Sequence, residues 1–336
     1  MTTATFPAVP PSTALPHPIL QPVPACTGVP AVRVEALRKR YDSIEAVAGL
    51  SFEIDEGEIF GLLGPNGAGK TTTISVIATR LRPSSGDALV FGHSVRSDVA
   101  AVRQIIGVAP QEVSLYPGLT ALENVKFFGR MYGVPKARLA HRADELLELV
   151  GLEGRRNDEV DDFSGGMKRR LNLAVSLVHE PRLLLLDEPT VGVDAQSRER
   201  IFSIVRDLRK RGTAILYCTH YMEEAERLCD RLAIMDEGRI IAMGTLDALL
   251  GALDCAEVID LRGLPPTIDL NRLRNAPGVG RVELREQGVR LFVRNATRVL
   301  ASIQQVIGRA DGVHVEITPL SLEKLFLQLT GKELRD

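Results

Sequence analysis

No apolar run in this sequence approaches the roughly 18 residues a helix needs to cross a bilayer, so any membrane role is expected to come through a partner. An excess of charge is missing too. With 41 Lys and Arg against 43 Asp and Glu, the formal net charge is −2, which argues against a protein that lives on nucleic acid. Cysteines are few. Cys26, Cys218, Cys229 and Cys255 lie far apart, with neither metal-ligand nor redox spacing, and read as reduced thiols. Residues 1–30 hold eight prolines and almost no charge, with neither a basic start nor a long apolar stretch. A secretory signal is not expected there; an extended, disordered tail is. The rest is ordinary globular composition, 45% hydrophobic and 25% charged over 336 residues. That length allows one large domain with a smaller one, or two medium ones.

One stretch organises the chain. Glu58-Ile-Phe-Gly-Leu-Leu63 reads as a short buried strand, and Gly64-Pro65-Asn66-Gly67-Ala68-Gly69-Lys70-Thr71 fits the phosphate-loop pattern of two glycines five apart followed by Lys and Ser/Thr. The glycines let the backbone curl so that successive N–H groups point inward. A helix starting near Gly69 adds unpaired N–H groups and the positive end of its dipole. Lys70 brings a full charge to the outer phosphates, and the Thr71 hydroxyl can ligate Mg²⁺. With glycine at about 7% of residues, the bare pattern arises by chance in roughly one chain in a hundred of this length. The helix-like Thr73–Leu81 behind it, stopped by Pro83 and Gly86, makes chance a poorer account.

Around this stretch, Val32–Leu37 alternates like an edge strand, and Tyr41 follows. An aromatic ring there either stacks on a purine base or closes a strand end. Ile105–Gln111 reads as a strand ending in a polar amide. Leu119–Asn124 carries a capping box, Thr120 with Glu123, opening a helix to about Tyr132, and Pro135–Leu152 is a second helix. This helical block interrupts the strand–helix rhythm and is expected to form a subdomain over about 112–180. In Phe163-Ser-Gly-Gly-Met-Lys-Arg-Arg170, Ser164 is a helix N-cap. Gly165 and Gly166 at a helix start are costly unless the backbone approaches something closely, for which a bound anion is the natural candidate. Leu183-Leu-Leu-Leu186 is a fully buried strand ending in Asp187-Glu188-Pro189-Thr190. A carboxylate at a buried strand end opposite a phosphate loop suits Mg²⁺ binding, and its neighbour can orient or deprotonate a water. Ala214–Thr219 is one more buried strand, and His220 at its end is either structural or part of the site.

Together these residues resemble the ATP-binding cassette (ABC) ATPase family over about 31–246. The resemblance implies an α/β P-loop NTPase fold: an ABC-type nucleotide-binding domain with a helical subdomain. It implies ATP as nucleotide with Mg²⁺. ATP would lie along Gly64, Pro65, Asn66, Gly67, Ala68, Gly69, Lys70, Thr71 and Thr72, resembling the Walker A loop, with Tyr41 stacked on adenine. Leu183–Asp187 resembles Walker B. Thr71, Gln111 and Asp187 are then metal-site residues, and Glu188, His220 and Lys70 the catalytic ones. Ser164, Gly165 and Gly166 sit where the family signature contacts the γ-phosphate, and Gly192-Val193-Asp194 resembles the D-loop. Phe163 and Met167 stand where the family usually has Leu and Gln, so contacts of that Gln do not carry over.

Leu119–Asn124, Thr219–Ala225 and Ser321–Gly331 are further similar to prokaryotic export ATPases of the drug, antibiotic and polysaccharide type. The resemblance thus implies a peripheral subunit on the cytoplasmic face of the cell membrane. It would be a homodimer through the ATPase domain and would serve an integral membrane permease, with no nucleic acid partner. The rival is an ABC ATPase of DNA repair or translation. Long coiled coils, zinc modules or a second cassette would mark it, and the short spacing from Gln111 to Ser164 and the single copy of each motif argue against it. Beyond a closing helix and linker at Gly244–Leu253, strands at 258–261, 281–284, 290–293 and 313–317 and helices at 270–273, 298–307 and 321–330 predict a small α+β accessory domain over 247–336. It shows no catalytic cluster; dimer contact or regulation is its expected role.

Overall fold

The computed structural model describes residues 19–20, 28–251, 257–264, 268, 270–285, 288–293, 295–307, 312–319 and 321–330. Cys26, Cys255 and most of the proline-rich stretch 1–30 lie outside them. The chain divides into two compact units, one over Leu20–Gly244 and one holding the residues from Thr245 onward.

After the two-residue strand β1 (Ile19–Leu20), which straddles the start of the larger unit, come β2 (Val32–Tyr41), β3 (Ile44–Ile54) and β4 (Ile59–Leu63), then α1 (Lys70–Ile77), β5 (Ser85–Val90), β6 (His93–Ser94), α2 (Val99–Ile105) and β7 (Ile106–Ala109). The helical block is α3 (Ala121–Met131), α4 (Lys136–Leu149) and α5 (Gly165–Ser176). There follow β8 (Leu183–Asp187), α6 (Ala195–Lys210), β9 (Ala214–Thr219), α7 (Met222–Leu228), β10 (Arg231–Asp236) and β11 (Arg239–Gly244). One sheet has the order β1-β11-β10-β4-β9-β8-β7, with β10, β4, β9, β8 and β7 parallel. The leucines of β8 explain its central place. Leu183 and Leu185 enter the core under α1 and β2, while Leu184 and Leu186 enter the core shared with α4, α5 and α6. A parallel strand covered on both faces needs such a run.

The second sheet, β3-β2-β5-β6, corrects the reading of Val32–Leu37: β2 pairs with both β3 and β5 and is no edge. Alternation marks one buried face, which a central antiparallel strand and an edge strand share. The first helix is also shorter than Thr73–Leu81 suggested. It ends at Ile77 because Thr79 turns left-handed at φ 57°, before Pro83 is reached. The capping box stands as read, with Thr120 Oγ1 accepting from the Glu123 N–H and Glu123 Oε2 accepting from the Thr120 N–H.

The second unit comprises α8 (Leu246–Gly251), β12 (Glu257–Arg262), α9 (Leu270–Arg274), β13 (Val279–Arg285), β14 (Gly288–Val293), α10 (Ala296–Ile307), β15 (His314–Pro319) and α11 (Leu322–Thr330). Its antiparallel sheet runs β13-β14-β12-β15. Ile259, Leu261, Leu291 and Val293 pack one face against Leu273, Val299 and Ile303 of α9 and α10. Among the described residues no helix is long and apolar enough to cross a membrane.

Candidate nucleotide site

Strand register brings three loops to one edge. Pairing of β4 with β9 sets Leu63 opposite Thr219, and pairing of β8 with β9 sets Asp187 opposite Cys218. The residues that follow, Gly64, Glu188 and His220, therefore leave the carboxyl ends of adjacent parallel strands, where open α/β sheets hold their ligands.

Two loop positions admit only glycine. A Cβ on Gly64 would run into the carbonyl oxygen of Met235, and one on Gly69, at φ 103°, into that of Ala46. The loop is thus wedged between β10 and β3, and Ala46 lies on the hairpin that carries Tyr41. Lys70 is buried inside the loop. Its Nζ donates to the carbonyl oxygens of Gly64 at 2.7 Å and Pro65 at 3.1 Å, and lies 3.5 Å from Glu188 Oε1.

Asp187 and Glu188 are both buried. Thr71 Oγ1 donates to Asp187 Oδ1 at 3.2 Å. Desolvation raises the Asp187 carboxyl above its ordinary value. The Thr71 hydrogen bond opposes this rise, Glu188 adds to it, and Lys70 and Arg169 pull the other way. Glu188 receives the remaining side chains: His220 Nδ1 at 3.0 Å on Oε1 and Gln111 Nε2 at 3.2 Å on Oε2. With Glu188 as a carboxylate, the first contact assigns a proton to His220 Nδ1. The Glu188 backbone sits at φ 47°, left-handed for a residue with a Cβ, and its N–H donates to the Cys218 carbonyl at 3.0 Å. Such conformations cost roughly 1–3 kcal/mol and persist where the surroundings hold them.

Lys70, Thr71, Gln111, Asp187, Glu188 and His220 are therefore one connected group. Tyr41, Ser164, Gly165 and Gly166 are not joined to it by any hydrogen bond among the described residues. Tyr41 is 42% exposed at the end of β2, with Lys39 Nζ 5.1 Å from its ring centre. Ser164 caps α5, its Oγ accepting from the Met167 N–H at 3.3 Å. The first turn of α5 lies on the first turn of α6: a Cβ on Gly166 would collide with Ser197 Oγ and lie 2.9 Å from Asp194 Oδ2, the N-cap of α6. Close backbone approach at Gly166 is thus made to protein.

Sequence reasoning passed over Arg169. Its Nη1 donates to the Pro110 carbonyl, next to Gln111, at 3.1 Å. Burial lowers its pKa, opposed by attraction to Asp187 and Glu188. The only signal was the run Lys168-Arg169-Arg170, which reads equally well as solvated surface.

The donors suit Mg²⁺. Among the described residues no group of three or more His, Cys, Asp or Glu side chains is arranged to hold a metal by itself. Two hard oxygens, Thr71 Oγ1 and Asp187 Oδ1, already converge beside the loop. Mg²⁺ takes few protein ligands and fills its shell with phosphate oxygens and water.

Residues 47–191 match the family model described as ABC transporter. The chain is 42% identical to the linearmycin resistance ATP-binding protein LnrL of Bacillus subtilis (strain 168), over 91% of this chain and 100% of that protein. It is 40% identical to the Nod factor export ATP-binding protein I of Ralstonia nicotianae, over 94% of this chain and 98% of the relative. Among solved structures, an ATP binding subunit of an ABC transporter is 31% identical, with TM-score 0.62 over 66% of this chain and 92% of its own. The dimeric ATP-binding cassette MJ0796 in a post-hydrolysis state with ADP and Pi is 26% identical, with TM-score 0.60 over 64% and 98%. With a phosphate loop, a paired carboxylate strand end and relatives alike over nine-tenths of its length, the chain belongs to the ABC transporter family as an ATP-binding subunit, an ATPase.

Proposed function

We propose that this chain drives export: two copies bind ATP head to tail and act, at the cytoplasmic face of the cell membrane, on a separate membrane permease. The observation that carries the catalytic part is the environment of Glu188, whose carboxylate lies within 3.0 Å of His220, 3.2 Å of Gln111 and 3.5 Å of Lys70. Backbone N–H groups of residues 64–72 other than Pro65, and the Lys70 ammonium, hold the phosphates. Thr71, Asp187 and Gln111 would hold Mg²⁺, which would neutralise phosphate charge. Glu188 orients a water and accepts its proton as the water oxygen bonds to the γ-phosphorus and the bond to the ADP oxygen breaks. His220 keeps the Glu188 carboxylate turned toward that water, and Tyr41 stacks on the adenine.

The signature residues Ser164, Gly165 and Gly166 stand outside the connected group, which supports their acting on the nucleotide of a second copy. Val113 and Tyr116, within five residues of Gln111 along the chain, are 36% and 47% exposed, which supports docking of a permease at that loop. Relatives named for linearmycin resistance and Nod factor export support the direction of transport.

Lys70→Ala should abolish ATP binding and hydrolysis together. Glu188→Gln keeps shape but cannot accept the proton; it should bind ATP while turnover falls about a thousandfold, about 4 kcal/mol of barrier. Near wild-type hydrolysis by Lys70→Ala would end the reading. Recovery of the chain from membranes only when a candidate membrane permease, sought among the neighbouring genes, is co-expressed tests the transport part.

A further inference from the structure

A buried acid outside the connected group ties its two halves together. Glu224, in α7, is shielded from solvent yet surrounded by polar groups. Its Oε1 accepts from Thr190 Oγ1 at 2.6 Å, and its Oε2 from Tyr217 OH at 2.9 Å and Thr219 Oγ1 at 3.1 Å. Arg198 Nε of α6 lies 3.8 Å from Oε1.

These donors occupy telling places. Thr190 belongs to the turn that leaves Glu188, closed by the Val191 N–H on the Glu188 carbonyl at 3.3 Å. Thr219 immediately precedes His220, and its Oγ1 also accepts from the Tyr221 N–H at 2.9 Å, so one hydroxyl braces both sides of the histidine. Glu224 thus holds, on its two oxygens, the turn carrying Glu188 and the turn carrying His220. Glu188 sits in a left-handed conformation that needs outside restraint, and its 3.0 Å contact to His220 depends on both turns at once.

We infer that Glu224 is a positioning residue for hydrolysis, setting the Glu188–His220 geometry through Thr190 and Thr219 without touching nucleotide. The inference rests on the role proposed above for Glu188. A bare packing role for Glu224 predicts a different pattern of loss, because among the described residues no hydrogen bond or ion pair joins it to Lys70 or the phosphate loop.

Glu224→Gln is the test. The amide nearly matches the carboxylate in shape, but one of its ends carries hydrogens. In either orientation its NH₂ meets at least one hydroxyl that now donates. Steady-state hydrolysis by the full chain, equilibrium ATP binding and thermal melting are measured beside wild type and Glu188→Gln. The expected result is a kcat at least tenfold lower, with KM and ATP affinity within threefold of wild type. A kcat within twofold of wild type, or kcat and ATP affinity lost together, overturns the inference. If Glu224→Gln does not fold, Thr190→Val removes a single donor at nearly constant volume. It should lower kcat at least threefold at unchanged ATP affinity, and any other result overturns the inference. Wild type that hydrolyses ATP, Glu188→Gln that does not, and Glu224→Gln that does would retire Glu224 alone. Equal rates for wild type and Glu188→Gln would instead retire the reading of the site.

Discussion

Asp187 is a carboxyl at the end of four buried leucines, and its surroundings disfavour its charge. Desolvation raises its pKa despite the Thr71 hydrogen bond and the nearby cations Lys70 and Arg169. The folded chain then holds this proton more tightly than the unfolded chain does. The stability so gained is fully present below the unfolded carboxylate value and is lost as pH rises through the folded value. Asp187→Asn, which cannot ionise, should therefore melt above wild type at neutral pH in buffer without nucleotide or Mg²⁺. The gap should close as the pH is lowered into the carboxylate range. Melting curves across a pH series check this; a wild type that stays more stable at every pH would mean that pairing with Lys70 and Arg169 outweighs desolvation. The same charge that burdens the fold is what a divalent cation would need, so stability is set against function at this one side chain.

Helix α5 meets α6 through their first turns, and two neighbouring glycines there do different work. Gly166 has no room for a Cβ beside Ser197 and Asp194, whose side chain accepts from the Ser197 N–H at 2.8 Å to cap α6. Gly165 has its nearest obstacle, the Gly192 carbonyl oxygen, at an ordinary 3.6 Å. Gly166→Ala should therefore disturb the α6 cap and lower stability by about 1–2 kcal/mol. Gly165→Ala should stay within about 0.5 kcal/mol, since alanine also suits a helix better than glycine. Urea midpoints at constant slope measure both, and equal losses would remove the packing argument. The Ser164 cap and the Thr120–Glu123 box were readable from residue order alone, because capping is a local exchange of hydrogen bonds. The tight fit at Gly166 was not, since it needs residues thirty places away.

At the scale of the molecule, one chain holds a phosphate loop and a Ser-Gly-Gly helix start that no hydrogen bond among the described residues joins to each other. Glu188→Gln protein is expected to dimerise on addition of ATP but not ADP, because in the proposed arrangement only ATP would present a γ-phosphate to Ser164. In that background, Lys70→Ala on one copy and Ser164→Arg on the other should leave one intact site per mixed dimer, so about one ATP is occluded. Differential tags isolate the mixed dimer, and no occluded ATP, with both single-lesion homodimers also empty, would refute a head-to-tail arrangement.

The sequence by itself determined the phosphate loop, the leucine strand with its acids, the helix caps and most elements of the second unit. Each of these is a pattern of neighbours along the chain: spacing of glycines, period of apolar residues, a cap and its partner three places on. Tertiary structure decided what such patterns leave open. Alternation in Val32–Leu37 could not say that β2 is flanked on both sides, because one buried face looks the same at an edge and in the middle. Glu223 and Glu224 are neighbours of one residue type, yet only Glu224 turns inward, to three hydroxyls, one of them from a segment more than thirty residues away. Strand register, which no local pattern encodes, set Asp187 opposite Cys218 and Leu63 opposite Thr219. That pairing brings Lys70, Glu188 and His220 within hydrogen-bonding or ion-pair distance, because charges far apart in sequence converge only when the strands that carry them share a sheet.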